Sequence, residues 1–341
     1  MSANLKAPFI YFGGKSRIAH EVWARLGDVP NYVEPFAGSL AILLSRPHAP
    51  RVETVNDADG LLSNFWRAIK HAPEEVAEHA DWPVNEVDLI ARHSWLVGQR
   101  ERITARLEGD PDWYDAKAAG WWVWGINCWI GSGWCSGNGP WVVVDGEMVD
   151  RRKMEAGNAG RGVNRKLPHL GSAGQGVNRK LPHLGDAGRG VNRKQAALQE
   201  WFADLAERLR GVRVACGDWS RVCGSSVTFK HGITGIVLDP PYADTAKRAS
   251  SLYAKDDLSV AHEVREWAIA NGDNPKMRIA LCGYEEEHQM PEGWECLAWK
   301  ARKGYGGQKQ SGVNDNRDRE RIWFSPHCLK VGSEFSLELA V

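Results

Sequence analysis

No stretch of this 341-residue chain approaches the roughly 18 consecutive apolar residues that a membrane-spanning helix needs. Its first residues, Met-Ser-Ala-Asn-Leu-Lys, lack the apolar core of a secretion signal, so a soluble, cytoplasmic protein is expected. There is no Cys-x-x-Cys pair. The seven cysteines are odd in number and scattered at 128, 135, 216, 223, 282, 296 and 328, which argues against a disulfide framework and against zinc; no metal is expected. Net charge is missing as well, because 43 basic residues balance 43 acidic ones. Any contact with a polyanion must therefore come from local charge rather than a global excess.

The information that is present is concentrated in a few short segments. Gly235-Ile-Val-Leu238 reads as a buried strand and ends in Asp239-Pro240-Pro241-Tyr242. A carboxylate and a backbone carbonyl at such a strand end can accept both N–H bonds of an exocyclic ring amine. They thereby draw its delocalised lone pair toward an electrophile and stabilise the charge that develops on nitrogen. The prolines stiffen the turn and bring no competing N–H groups, and Tyr242 offers a face for a stacked ring. An ordinary strand-end turn has the same composition, so the motif needs company.

Company comes from the N-terminal region. Phe9-Ile-Tyr-Phe-Gly-Gly-Lys-Ser16 is followed by Tyr32-Val-Glu-Pro-Phe-Ala-Gly-Ser39, which reads as strand, sharp turn and then helix from Leu40 to Ser45. A glycine in that turn lets backbone approach a ligand closely. Nineteen residues beyond Gly38, after the short strand Val52 to Val55, stands Asp57. That is the position from which nucleotide-binding folds grip ribose hydroxyls.

The ordered set Tyr11-Phe-Gly-Gly-Lys15, Glu34-Pro-Phe-Ala-Gly38, Asn56-Asp57 and Asp239-Pro-Pro-Tyr242 resembles the Dam-like DNA adenine-N6 methyltransferases, the D12 class of the alpha group, of phage or prophage type. The resemblance implies an α/β fold, a Rossmann-like sheet that binds S-adenosylmethionine. It implies Tyr11, Phe12, Gly13, Gly14 and Lys15 as cofactor contacts, with Lys15 near the methionine end. Glu34, Pro35, Phe36 and Gly38 would enclose the cofactor, Asp57 would hold the ribose, and Asp239 and Pro240 would bind the target amine with Tyr242 against an extruded base. By its place before the Asp239 strand, Asp218 resembles the acid that meets the cofactor's adenine; a turn or N-cap aspartate is the equal alternative. The chain departs from the pattern at Leu40, where many relatives carry a further glycine, and at Ile10, where some carry a base-reading lysine.

The strand-and-turn signals fall in residues 1–60 and 196–341, which are expected to form one catalytic domain split in sequence. Further elements are expected at Gln195 to Leu209 and His262 to Ala270 (helices) and at Val212 to Cys216, Met277 to Cys282 and Arg321 to Ser325 (strands). Residues 61–195 read as an inserted, mostly helical and loop region for target recognition, containing the tryptophan-rich helix Trp121 to Ile130 and a glycine-rich loop that carries Trp134. The tryptophans fit packing, or, for Trp134, a wedge at DNA.

A 14-residue repeat, Ala159 to Gly171, recurs as Ala173 to Gly185 and breaks off at Lys194 in its third copy. From Arg151 to Lys194 there are 11 basic residues against Glu155 and Asp186, a net of +9. Short extended pieces joined by turns are expected, with Arg165/Lys166, Arg179/Lys180 and Arg193/Lys194 as phosphate clamps on double-stranded DNA, or else as a solvated duplication. A second basic loop, Trp299 to Lys309, is expected beside the site. The expectation is base-flipping transfer to adenine N6. Cytosine N4, RNA, a protein amide and a non-catalytic regulator are the alternatives, and oligomeric state is open.

Overall fold

A computed structural model describes residues 5–11, 14–129, 134–135, 141–144, 147–150, 191–241, 259–285, 287–299 and 319–331. Phe12, Gly13, Tyr242, Arg165, Lys166, Arg179, Lys180 and the basic loop after Trp299 lie outside them. The described chain divides into two compact units: one built from residues up to Ala58 and from Arg208 onward, the other from Asp59–Glu207.

The first unit is a seven-stranded sheet. Its strands are β1 (Asn31–Glu34), β2 (Val52–Asp57), β5 (Val212–Cys216), β6 (Thr234–Leu238), β7 (Met277–Tyr284), β8 (Glu295–Ala298) and β9 (Glu320–Phe324), in the order β5-β2-β1-β6-β7-β9-β8. The first five run parallel, while β9 is antiparallel to both of its neighbours. Buried on both faces, β1 and β6 show no alternation, which is why Thr234-Gly-Ile-Val-Leu238 reads as a short continuous apolar run. This is the expected Rossmann-like sheet. Its helices here are α1 (Ala19–Leu26), α2 (Ala41–Leu44) and α8 (Val260–Gly272), the last packed on β7. From β1 the chain moves outward to β2 and β5, then crosses back to β6 on the other side of β1. Strand order therefore reverses between β1 and β6, and the crevice beyond their C-terminal ends is the place where open sheets of this kind take ligands.

The second unit is helical: α3 (Gly60–His71), α4 (Pro73–Ala80), α5 (Glu86–Gly109), α6 (Ala116–Cys128) and most of α7 (Val191–Leu209). Side chains cap three of them, Asp59 for α3, Asn85 for α5 and Asp115 for α6. On α7, Leu198, Phe202, Leu205 and Leu209 recur at helical spacing and are all buried. Helix α6 packs closely on α4 because Gly120 has no side chain; a Cβ there would lie 2.7 Å from the Val76 carbonyl oxygen. Arg67, 2% exposed, gathers the carbonyls of Leu107, Asp110 and Trp113 and so closes the C-terminus of α5.

Two expectations change here, and of the two readings of Trp134 the packing one holds. The insert also holds an antiparallel hairpin, β3 (Trp141–Val144) with β4 (Glu147–Asp150), which the helical-and-loop reading missed. The third repeat copy is not extended, for α7 already begins at Val191 and takes in Arg193 and Lys194. That copy lacks the Leu-Pro-His-Leu-Gly tail of the others and runs instead into Gln195-Ala-Ala-Leu198, which continues a helix. Trp134 is not presented as a wedge: it is 8% exposed, donates to the Trp122 carbonyl at 3.1 Å and packs on Gly125, His93 and Trp129. Among the described residues no helix is long and apolar enough to cross a membrane.

Candidate active site

The crevice between β1 and β6 gathers segments far apart in sequence. After β1, the turn Pro35 to Gly38 is held by Asn56, whose amide donates to the carbonyls of Pro35 and Gly217, both at 3.0 Å. Ala37 N–H donates to the Asn56 carbonyl at 2.8 Å. Asp57, at the end of β2, accepts from the Gly38 N–H at 3.1 Å. The Asn56-Asp57 pair thus fixes the glycine turn as well as standing beside it. Gly38 has φ 48°, and a Cβ there would lie 3.1 Å from the Tyr11 ring, so any other residue would be strained in backbone and would have to push that ring back. Leu40 also adopts the left-handed region, φ 54°, although it is a fully buried leucine. The position where relatives carry glycine keeps the glycine conformation without the glycine, held by the burial of its side chain.

Phe36 stacks on Trp219 with centroids 6.3 Å apart, and Trp219 meets Trp267 edge-on, forming an aromatic wall on this side of the sheet. Asp218 caps the short 3-10 turn Trp219–Val222, accepting from Ser220 N–H at 3.0 Å. Glu34 does not face outward. It is 5% exposed, accepts from the Tyr32 hydroxyl at 3.0 Å, and burial, with the Asp239 charge nearby, pushes its carboxyl up to about 8. Glu34 is therefore a neutral acid at pH 7.

On the other side, Asp239 follows β6 with Pro240 buried behind it. Lys15, 4% exposed, places its Nζ 2.9 Å from Asp239 Oδ1. Burial alone would lower this lysine, but the neighbouring Asp239 carboxylate overrides it and holds the ammonium above its ordinary range. The Lys15 Nζ also lies 5.5 Å from the centroid of the Trp299 ring, a cation over an aromatic face. Cys282, one strand over on β7, has its thiol pushed well up by burial and by the Asp239 charge, so it stays protonated. Two residues further along β7, burial pushes the Tyr284 hydroxyl up to about 12.

The tertiary structure therefore brings together Tyr11, Lys15, Glu34, Phe36, Gly38, Asp57, Asp218 and Asp239 around one crevice. Lys15, which the resemblance assigns to the methionine end of a cofactor, is here the direct partner of the catalytic-motif carboxylate. Sequence reasoning had Trp299 only as the start of a loop beside the site, and it missed Cys282, Tyr284 and Glu320. None of them sits in a recognisable motif, and only the β7–β9 pairing makes them neighbours.

Residues 11–86 match the sequence model of the family described as D12 class N6 adenine-specific DNA methyltransferase. The match covers 76 of the 341 residues, and over them the chain is similar to DNA adenine-N6 methyltransferases of the D12 class. It takes in the Tyr11–Lys15 motif, the Gly38 turn and Asp57, and ends before the Asp239 strand. No curated protein matches the chain. Among the described residues, no group of three or more His, Cys, Asp or Glu is placed to hold a metal ion.

Proposed function

We propose that the protein transfers the methyl group of S-adenosylmethionine to adenine N6 in double-stranded DNA, with the target base rotated out of the stack. The observation that carries the reading is the 2.9 Å contact between Lys15 and Asp239, which joins the first motif to the Asp-Pro-Pro-Tyr strand at the point where strand order reverses. The residues fit the cofactor: a left-handed glycine turn closed by Tyr11, an acid at the end of β2, an aromatic wall of Phe36 and Trp219, and a buried cation. When bound, this cofactor supplies an electrophilic methyl group on a sulfonium sulfur, which leaves as a neutral thioether.

The protein's own part is positional and electrostatic. Asp239 and the Pro240 carbonyl accept the two amine protons, localise the nitrogen lone pair and stabilise the cation that forms when nitrogen bonds the methyl carbon. No side chain acts as a strong base beforehand, because the methylated nitrogen is acidic enough to release its proton afterwards. Lys15 supplies charge at the cofactor side of the same carboxylate, and Asp57 is suited to diol oxygens. Extruding a base costs a few kcal/mol of unstacking, which contacts elsewhere must offset. We assign those contacts to the second unit, Asp59–Glu207, and to the basic pairs of the repeat that it contains.

The test is incubation of unmethylated plasmid DNA with the protein and S-adenosylmethionine carrying a deuterated methyl group, followed by mass spectrometry of the nucleosides. Deuterated N6-methyladenine, absent with Asp239→Ala, is the expected result, and its amount per plasmid separates a short recognition site from loose specificity. Unlabelled product or retained activity in Asp239→Ala sinks the reading. Fluorescence of 2-aminopurine at the target position should rise on binding. Charge reversal of Arg165 and Lys166 should weaken DNA binding and flatten its salt dependence; an unchanged slope leaves the repeat idle.

A further inference from the structure

Trp23, Trp124 and Trp134 are all buried, and each gives its indole N–H to a backbone carbonyl: that of Ile42 at 2.8 Å, of Trp82 at 2.9 Å and of Trp122 at 3.1 Å. Trp299 breaks the pattern. It is 7% exposed, and its Nε1 is buried without a hydrogen-bond partner. A buried donor left unpaired is costly, and it calls for an acceptor that arrives from outside the chain.

The strand pairing sets that donor beside the reacting carboxylate. Trp299 stands just beyond β8, and its backbone N–H donates to the Glu320 carbonyl at 3.2 Å, which continues the β8–β9 ladder by one residue. Glu320 in turn lies opposite Tyr284 of β7. Opposed residues of paired strands project to one face, so the Trp299 side chain shares the face of Tyr284 and Cys282. The Lys15 Nζ is 5.5 Å from the centroid of the indole and 2.9 Å from Asp239 Oδ1, so a single ammonium links the two. A cation over the ring face also draws density from it and makes the N–H at its edge a stronger donor.

Asp239 and the Pro240 carbonyl can hold a ring amine but not the ring. A carboxylate and a proline carbonyl only accept, so the ring nitrogen next to the amine finds no donor in that pair. We propose that the Trp299 indole N–H donates to this ring nitrogen and fixes the plane of the extruded base while Asp239 and Pro240 draw on its amine. The inference rests on the reading of Asp239 as the acceptor of that amine. Together the two contacts admit a base whose amine adjoins an acceptor nitrogen, as in adenine and cytosine. They reject thymine, which would set a ring N–H against the indole N–H.

Trp299→Phe keeps an aromatic face for Lys15 and removes the donor. The expected result is single-turnover transfer to plasmid DNA slower by about fivefold or more, with the dissociation constant of S-adenosylhomocysteine within about twofold of wild type. A second readout uses wild-type protein with isotope-labelled tryptophan, the Trp299 indole resonance being assigned through its own backbone. That resonance should stay in place with S-adenosylhomocysteine alone. It should move downfield when a short duplex is added that spans an adenine found methylated in the plasmid. Wild-type transfer in Trp299→Phe overturns the proposal. So does an indole resonance that the duplex leaves in place, or one that S-adenosylhomocysteine alone moves downfield, since the acceptor would then be the cofactor. Asp239→Ala run alongside separates the two ideas: transfer retained there removes the amine-acceptor reading itself, whereas transfer lost there with an unmoved indole removes only the Trp299 contact.

Discussion

The two units hold their buried cations differently. In the sheet unit Lys15 lies against Asp239, and Glu53, 1% exposed, binds Arg46 at 3.0 Å and Arg208 at 2.7 Å. In the helical unit Arg67 bonds three backbone carbonyls, and Arg92 lies on the faces of Trp82, Trp121 and Trp124, nearest to Trp124 at 4.3 Å. Part of the difference follows from chemistry, although Arg46 and Arg208 are guanidiniums that pair with Glu53. An ammonium is compact and strongly hydrated and stays charged in a dry site only beside an anion. A guanidinium is planar and weakly hydrated, so aromatic faces and carbonyls suffice. It also follows from function: a charge held by another ionisable group can be redistributed when a substrate arrives, whereas one held by neutral partners only ties helices together.

The comparison can be broken at several points. Removing the carbonyl clamp with Arg67→Met should lower stability by roughly 3 kcal/mol, because buried carbonyls lose their donor, and urea denaturation followed by tryptophan fluorescence reads it. A loss below about 1 kcal/mol would show that the carbonyls find other donors. Arg92→Lys keeps the charge but not the plane, and should destabilise by about 1–2 kcal/mol; an unchanged midpoint would mean that charge alone matters there.

Glu34→Gln sharpens the sheet side. Glu34 is raised from an ordinary value near 4.5 to about 8, so its contribution to stability is full at acid pH and is lost as pH climbs through about 8. Relative to wild type, Glu34→Gln should therefore gain thermal stability steadily from pH 5 to 8, by about 1 °C or more in Tm. A constant difference across that range contradicts a neutral buried acid. The smallest effect concerns Leu40. Glycine usually destabilises relative to alanine, but at φ 54° the order should reverse, with Leu40→Gly more stable than Leu40→Ala by up to about 1 kcal/mol.

Much of the site was legible before any coordinates, because its parts are local. A strand that ends in Asp-Pro-Pro, a glycine turn and an acid at the next strand end are each fixed by a few consecutive residues, and their order along the chain names the fold. The sheet strands were also readable, since buried parallel strands are short apolar runs between turn signals. Less was legible in the insert: the period of the third repeat copy predicted an extended piece, whereas the helix formers after Lys194 carry a helix back to Val191. The tryptophans could not be divided into packing and contact groups from sequence, because a residue's exposure depends on which glycine, such as Gly125 under Trp134, lies across from it.

The sequence by itself determined the sheet strands and carried the resemblance to the D12 class, and it singled out Asp239 as the candidate carboxylate, since these rest on local patterns of side-chain type and backbone conformation. Only the tertiary structure decided what surrounds that carboxylate. Lys15 meets Asp239 across 224 positions, and the Trp299 ring comes to the same ammonium from just beyond β8. Such pairings are set by strand order and register, which put distant residues within reach of one charge, and no local pattern encodes them.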